Sequence, residues 1–110
     1  MNTPPAILVL TTLPDQDAAR TLARQLVEAR LAACVNVLSP CQSFYRWQGS
    51  LNEDGEVPVI IKTVADNYGR LEDFVKSHHP YQVPELVAIN ITHGLPDYLS
   101  WVAAETLETA

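Results

Sequence analysis

The sequence has few cysteines and lacks the short motifs that hold a structural metal ion. It contains two cysteines, Cys34 and Cys41, and neither a Cys-x-x-Cys nor a His-x-x-x-His pair, so no zinc site is evident. The two cysteines lie seven positions apart, and an odd separation along a strand directs side chains to opposite faces. We therefore expect two unpaired, partly buried cysteines in a chain that does not depend on disulfides.

Motifs of catalysis and nucleotide binding are also missing. The sequence has no GxSxG elbow, no P-loop and no GxGxxG fingerprint, which are the local patterns that position a nucleophile or a phosphate. Ser77 stands beside His78 and His79 in the chain, but adjacency alone does not make a nucleophile and its base. We expect a protein that binds and does not catalyse.

Basic residues and long hydrophobic runs are scarce. The chain has 7 Lys and Arg against 13 Asp and Glu, a net charge of −6, so a nucleic acid or a phospholipid surface is repelled on average. The apolar run at residues 7–10 is too short for a signal core or a membrane span, and no basic residue precedes it. We expect a cytoplasmic protein with neither a nucleic-acid nor a membrane partner.

Hydrophobic residues, at 47% of 110 positions, are sufficient for one globular domain over residues 1–110. Periodicity predicts strands at residues 6–12, 33–47, 56–64 and 86–91, with a proline interruption near Pro40 and a turn-prone stretch at 49–55. Three-four spacing predicts a helix from about Asp15 and a second one that Asp66 or Asn67 caps. A final helix is expected after Pro96.

This order of elements predicts an α+β protein with a ferredoxin-like βαββαβ fold, an antiparallel sheet of order 4-1-3-2 and an additional C-terminal helix. The second and third strands form an unusually long hairpin, whose arms exceed the usual strand length. Phe44, Tyr45 and Trp47 on this hairpin would be exposed in a single chain. Because soluble proteins cover such surfaces, we expect other chains to pack against the hairpin.

Residues 76–85, which carry His78 and His79, are the most unusual stretch. Histidine is a common ligand of copper, nickel and zinc, although a histidine at a helix end, such as His78, is also favoured by the helix dipole alone. His79 precedes a proline, which moves it out of the helical region and makes it the stronger candidate as a partly exposed loop residue. Lys62 interrupts an apolar strand and could line an intersubunit pocket with Trp47 and Glu85, where it would attract an anion.

Five segments resemble the CutA divalent-cation-tolerance family. They are LAACVNV at 31–37, SFYRWQG at 43–49, EVPVIIKT at 56–63, HPYQVPE at 79–85 and YLSW at 98–101. The segments occur in the family's order from about Ile7 to Trp101, and the combination is far more specific than any single segment.

The resemblance implies a ferredoxin-like homotrimer with divalent cation tolerance and, in bacterial members, copper binding by a first-strand cysteine and paired histidines. The histidines correspond to His78 and His79, and the cysteine position is occupied by Thr11, so the thiolate that favours Cu(I) is missing. It also implies an architecture similar to PII signal proteins, which bind small ligands between subunits.

Two hypotheses follow from the sequence. The first is a homotrimer that binds copper or another divalent cation and takes part in the response to metal ions. The alternative is a PII-like sensor of a small anionic metabolite, bound in an intersubunit pocket formed by Trp47, Lys62, Tyr81 and Glu85. Metal binding should weaken below about pH 6 as the imidazoles take up protons, whereas an anion site should not.

Overall fold

A computed structural model of the protein describes residues 3–106. The elements are five strands and three α-helices: β1 Ala6–Leu13, α1 Gln16–Glu28, β2 Cys34–Val37, β3 Cys41–Trp47, β4 Ser50–Val64, α2 Tyr68–His78, β5 Val87–Asn90 and α3 Pro96–Glu105, with a 3-10 turn at Ala65–Asn67 before α2. Across residues 3–106, no helix is both long and apolar enough to cross a membrane.

The sheet is antiparallel, and β4 is its longest strand. Its order is β2-β4-β1-β5, while β3 pairs with the outer part of β4. Each strand has the neighbours predicted by the order 4-1-3-2, with one difference: the predicted second strand is divided into β2 and β3. The break lies at residues 38–40, where Pro40 cannot donate a ladder hydrogen bond. The mixed α+β class and the antiparallel sheet are therefore confirmed.

One face of the sheet forms the main core under α1 and α2. Alternate residues of β1 and β4, among them Val9, Val59 and Ile61, are buried there against Leu26 of α1 and Leu71 of α2. Helix α1 begins where the Asp15 carboxylate accepts a hydrogen bond from the Ala18 N–H at 2.8 Å, as an N-cap residue does. The predicted amphipathic helices and the inward position of Val59 and Ile61 are confirmed.

The opposite face of the sheet lacks a cover from α1 and α2. It presents two cross-strand rows, which run Ile89, Leu8, Lys62, Cys34 and Val87, Leu10, Ile60, Asn36. Helix α3 covers one end of this face, where Val102 and Ala103 pack against Ala33 and Val64. We call the five apolar residues of the two rows the open face: Leu8, Leu10, Ile60, Val87 and Ile89. Val87 and Ile89 are 48% and 52% exposed.

The hairpin of β3 and β4 differs from the prediction in its length. Residues 50–55, predicted as part of a turn-prone stretch, belong to β4, and the turn consists of Gln48 and Gly49 alone. Both turn residues have positive φ, 50° and 82°, as the two-residue type I′ turn requires. Because neither face of this outer half of β4 is apolar, periodicity gave no sign of a strand.

The start of α2 also differs from the prediction. Asn67 does not cap the helix with its side chain; it is buried, and its Nδ2 donates to Thr63 Oγ1 and to the Thr106 carbonyl at 3.3 Å each. Arg70 donates to Asn67 Oδ1. The side chain therefore ties α2 to β4 and to the end of α3.

Candidate functional site

A cavity of about 910 Å³ lies between the hairpin and the loop that follows α2. Three of the four predicted pocket residues, Trp47, Tyr81 and Glu85, line it. The hairpin contributes Phe44, Tyr45 and Trp47, and the loop contributes residues 80–83 and Glu85. Its size is within the range of small-molecule sites, about 300–1,000 Å³.

Two tyrosine–carboxylate pairs fix the walls of this cavity. Tyr45 donates to Asp54 within the hairpin, and Tyr81 donates from the loop to Glu56 of β4 at 2.9 Å. The hydrogen bond to Asp54 raises the pKa of the Tyr45 phenol. Burial, followed by the hydrogen bond to Glu56, raises the pKa of the Tyr81 phenol. Both tyrosines are therefore neutral donors at physiological pH.

His79 does not occupy the exposed loop position that the sequence predicted. Its backbone is extended, with ψ 138°, as expected for a residue before proline, but its side chain is only 8% exposed. The backbone N–H of Tyr81 donates to His79 Nδ1 at 3.1 Å, and Nε2 lies 2.7 Å from the Thr12 carbonyl. Nδ1 accepts, so the proton of the neutral ring is on Nε2, which donates to Thr12. Burial lowers the pKa of His79.

His78 points elsewhere. It is the last residue of α2, and its Nδ1 donates to the Phe74 carbonyl at 2.8 Å, while its ring stacks on the Phe74 ring with centroids 3.9 Å apart. The exposed ring borders a small groove with Asp17 and Gln25 of α1. Because Nδ1 carries the proton, Nε2 of the neutral ring keeps a free lone pair. The two adjacent histidines thus have opposite tautomers and different surroundings.

Lys62 lies on the sheet, away from the cavity. It pairs with Leu8 of β1 and Cys34 of β2 on the same face as Ile60, which confirms the predicted shared face of Ile60 and Lys62. Lys62 is half-buried and is not one of the described residues that line the cavity. A single chain therefore does not bring Lys62 together with Trp47, Tyr81 and Glu85.

Comparison with known proteins identifies the family. The family model described as CutA1 divalent ion tolerance protein matches residues 7–105. The divalent-cation tolerance protein CutA of Thermus thermophilus is 46% identical over 99 residues, 90% of this chain and 96% of the relative. The CutA protein of Salmonella newport is 44% identical over 104 residues, 94% of this chain and 90% of the relative. The chain belongs to the CutA1 divalent ion tolerance family.

Solved CutA1 structures have the same fold. The divalent cation tolerance protein of Thermus thermophilus superimposes with a TM-score of 0.90 at 46% identity, covering 92% of this chain and 98% of that structure. CutA1 of Oryza sativa superimposes with a TM-score of 0.93 at 38% identity, covering 97% and 98%. The family resemblance predicted from the five motifs is confirmed.

The three residues that the family resemblance predicts as metal ligands do not fit a shared metal ion in this chain. Thr11 is fully buried on the core face, and its hydroxyl has no partner among the described residues. Both ring nitrogens of His79 are engaged, and His78 faces the groove beside α1. Over residues 3–106, no cluster of three His, Cys, Asp or Glu side chains is close enough to hold a metal ion.

Sequence reasoning missed Asp54 and Glu56 as members of the cavity. The two carboxylates stand two positions apart on β4, and they become neighbours of Tyr45 and Tyr81 through the hairpin register and the loop. The available signal was the Gln48-Gly49 turn, since a two-residue turn fixes the register of both strands. Treating residues 49–55 as a turn hid that register.

Proposed function

We propose that this chain works as a homotrimer that binds ligands without catalysis in the response to divalent cations, with each subunit in a ferredoxin-like arrangement. Membership of the divalent ion tolerance family supports the cation response. The main support for the trimer is the open face, because its apolar side chains on three strands would contact water in a single chain.

Two further features support assembly. The outer hairpin is a two-stranded ribbon without a core of its own, and such ribbons are marginally stable alone in water. Its apolar side chains Phe44 and Leu51 are 63% and 73% exposed. A neighbouring subunit that packs on the open face and beside the hairpin removes both surfaces from water. It also closes the open side of the cavity, which makes the cavity the proposed intersubunit pocket.

Sedimentation velocity tests the trimer. The protein should sediment as a single trimeric species at micromolar concentration, and Ile89→Lys should dissociate it, because the substitution places a charge on the open face. Val27→Lys is the matched control, since Val27 is similarly exposed, at 44%, but lies on α1 on the opposite side of the sheet. A monomeric wild-type protein would refute the proposal.

Copper(II) is the ion that we propose for metal binding, held weakly at His78. The observation in its favour is the position of the exposed His78 side chain. Its Nδ1 donates to the Phe74 carbonyl, so Nε2 carries no proton and its lone pair can bind a metal ion. Neutral imidazole suits copper(II), but one imidazole is a weak site compared with the three-ligand set of the family resemblance. The corrected position of His79 reverses the order of importance of the two histidines.

Calorimetric titration with copper(II) tests this assignment. His78→Ala should abolish most of the binding heat. His79→Ala should retain it but should destabilise the fold by about 2 kcal/mol, because the buried ring makes two hydrogen bonds. Loss of copper binding in the His79 variant, with unchanged stability, would show that His79 is the ligand.

The anionic alternative is not favoured. Its pocket required a cation beside Trp47, Tyr81 and Glu85, and within one chain Lys62 pairs with Leu8 on the sheet and does not line the cavity. The cavity residues with charge are Asp54, Glu56 and Glu85, all acidic, and such a lining repels anions.

We also propose a cytoplasmic location, with neither nucleic acid nor membrane as a partner, on the grounds of charge and sequence given above. A solved relative from Archaeoglobus fulgidus is described as periplasmic. Fractionation of cells that express the full chain tests it: recovery in the periplasmic fraction would contradict the proposal.

A further inference from the structure

The charges that line the cavity have one sign. Three carboxylates, Asp54, Glu56 and Glu85, line it, and none of the lining residues within the described part of the chain is lysine, arginine or histidine. The hydrogen bonds from Tyr45 and Tyr81 orient two of these carboxylates without neutralising them, because both phenols keep their protons. A concave surface of this kind concentrates cations.

Four aromatic side chains line the same cavity: Phe44, Tyr45, Trp47 and Tyr81. The ring of Tyr81 is held by its hydroxyl on Glu56 and by the His79 ring, whose centroid is 4.8 Å away. Tyr45 is held by Asp54. Aromatic faces attract ammonium groups through the ring quadrupole, so these rings favour a cation that also has apolar groups.

The same lining disfavours an inorganic ion as the ligand. A hard divalent ion requires several oxygen ligands around one point, yet no three acidic, histidine or cysteine side chains of the described residues converge. Asp54 and Glu56 instead stand on one face of β4, and Glu85 belongs to the loop on the other side of a cavity of about 910 Å³ that aromatic rings also line. Carboxylates from two separate segments suit a molecule with more than one charged end.

We propose that the cavity binds an aliphatic amine, a small organic cation with ammonium groups on an alkyl chain. The ammonium groups contact the carboxylates of Asp54, Glu56 and Glu85, and the alkyl chain lies on the aromatic rings. This cavity is the intersubunit pocket of the proposed function, so the inference names a ligand class for that same site. It rests on the proposed function, because a neighbouring subunit of the trimer closes the open side of the cavity. All residues named here belong to one chain.

Calorimetry with putrescine as the probe tests this inference on the full-length protein. Two matched compounds accompany it: 1,4-butanediol has the same length without charge, and magnesium chloride supplies an inorganic dication. Putrescine should bind saturably and more weakly as salt is raised, because the attraction is electrostatic. Binding of butanediol with equal affinity, or equal competition by magnesium, would overturn the proposal. So would the absence of saturable putrescine binding.

Paired substitutions locate the site. Glu85→Gln should weaken putrescine binding by about threefold to fivefold, the upper part of the range for one exposed ion pair. Glu53→Gln removes the same charge from an exposed hairpin residue that does not line the cavity, and it should change the affinity by less than about twofold. Equal effects of the two variants would show that putrescine responds only to the net charge and would overturn the proposal.

The aromatic contribution has its own control. Trp47 and Trp101 are 41% and 43% exposed, and only Trp47 lines the cavity. Trp47→Leu should weaken putrescine binding at least about threefold, and Trp101→Leu should leave it unchanged; the reverse result would contradict the assigned site.

Sedimentation of the wild-type protein separates the two proposals. A wild-type trimer that does not bind putrescine refutes this inference alone, whereas a monomeric wild-type protein refutes the proposed function. Sedimentation of each variant shows that its weaker binding is measured on a trimer.

Discussion

Thr11 and Thr63 are both fully buried threonines on the core face of the sheet, yet their hydroxyls have different surroundings. Thr63 Oγ1 accepts a hydrogen bond from Asn67. Thr11 Oγ1 has no partner among the described residues. A buried hydroxyl without a partner carries a desolvation cost of about 1–3 kcal/mol. Thr11, at the first-strand position that the family resemblance predicts as a metal ligand, therefore lowers the stability of this chain.

Thr11→Val should therefore stabilise the protein by about 1 kcal/mol, because valine has the same shape and no hydroxyl. Thr63→Val is the control and should destabilise it by a similar amount, since Asn67 loses an acceptor. Urea unfolding at one fixed protein concentration measures both. Destabilisation by Thr11→Val would mean that its hydroxyl has a partner that the structure does not describe.

His79 makes the stability of the fold depend on pH. Burial is the main cause of its lowered pKa, while the Thr12 carbonyl and the charge of Glu56 act in the opposite direction. The unfolded chain, with a histidine pKa of about 6.5, takes up a proton more readily than the folded chain. The contribution of His79 is therefore complete above about pH 6.5 and is lost as the pH falls below that value.

The urea midpoint of the wild type should consequently fall between about pH 7.5 and pH 5.5. His79→Gln should show a smaller fall over the same range, because the other titrating groups remain and cancel in the comparison. An equal fall in both proteins would show that His79 stays neutral in the unfolded state or is protonated in the folded one.

At the scale of elements, the sequence predicted strands and helices wherever one face is apolar. The three-four spacing of Leu22 and Leu26 and the alternation of Val59 and Ile61 were sufficient, because burial on one face imposes that periodicity. Residues 50–55 are polar on both faces, so the outer half of β4 left no such pattern. The direction of the His79 side chain depends on the Thr12 carbonyl, 67 positions away, which no local pattern reports.

The two-residue turn offers an element-scale prediction. Gln48 has φ 50°, a left-handed conformation that costs most residues about 1 kcal/mol and that asparagine tolerates better. Gln48→Asn should thus stabilise the hairpin by about 0.5 kcal/mol. Gln42→Asn within β3 is the control and should be neutral or slightly destabilising, since asparagine is poor in strands. Chemical denaturation compares the two, and equal effects would argue against a strained turn.

At the scale of the whole molecule, the protein is more elongated than a compact domain with the same number of residues. Its radius of gyration is 14.8 Å, against about 13 Å for 110 residues in a compact domain. The longest dimension, 51 Å, is about the length of β4 at roughly 3.3 Å per residue. One strand therefore spans the molecule, with its inner half in the core sheet and its outer half in the hairpin.

The division of β4 has a consequence for amide hydrogen exchange. Residues 57–64 pair with β1, residues 59–62 also pair with β2, and alternate side chains of this half are buried. Residues 50–56 pair with β3 alone and are largely exposed. Local opening is easiest where few apolar groups are buried. In a dissociated Ile89→Lys monomer, backbone amides of β4 up to Glu56 should exchange rapidly, and those from Val57 onwards should exchange slowly. In the assembled protein the boundary should move towards Ser50, so deuterium uptake along a single strand would record subunit association.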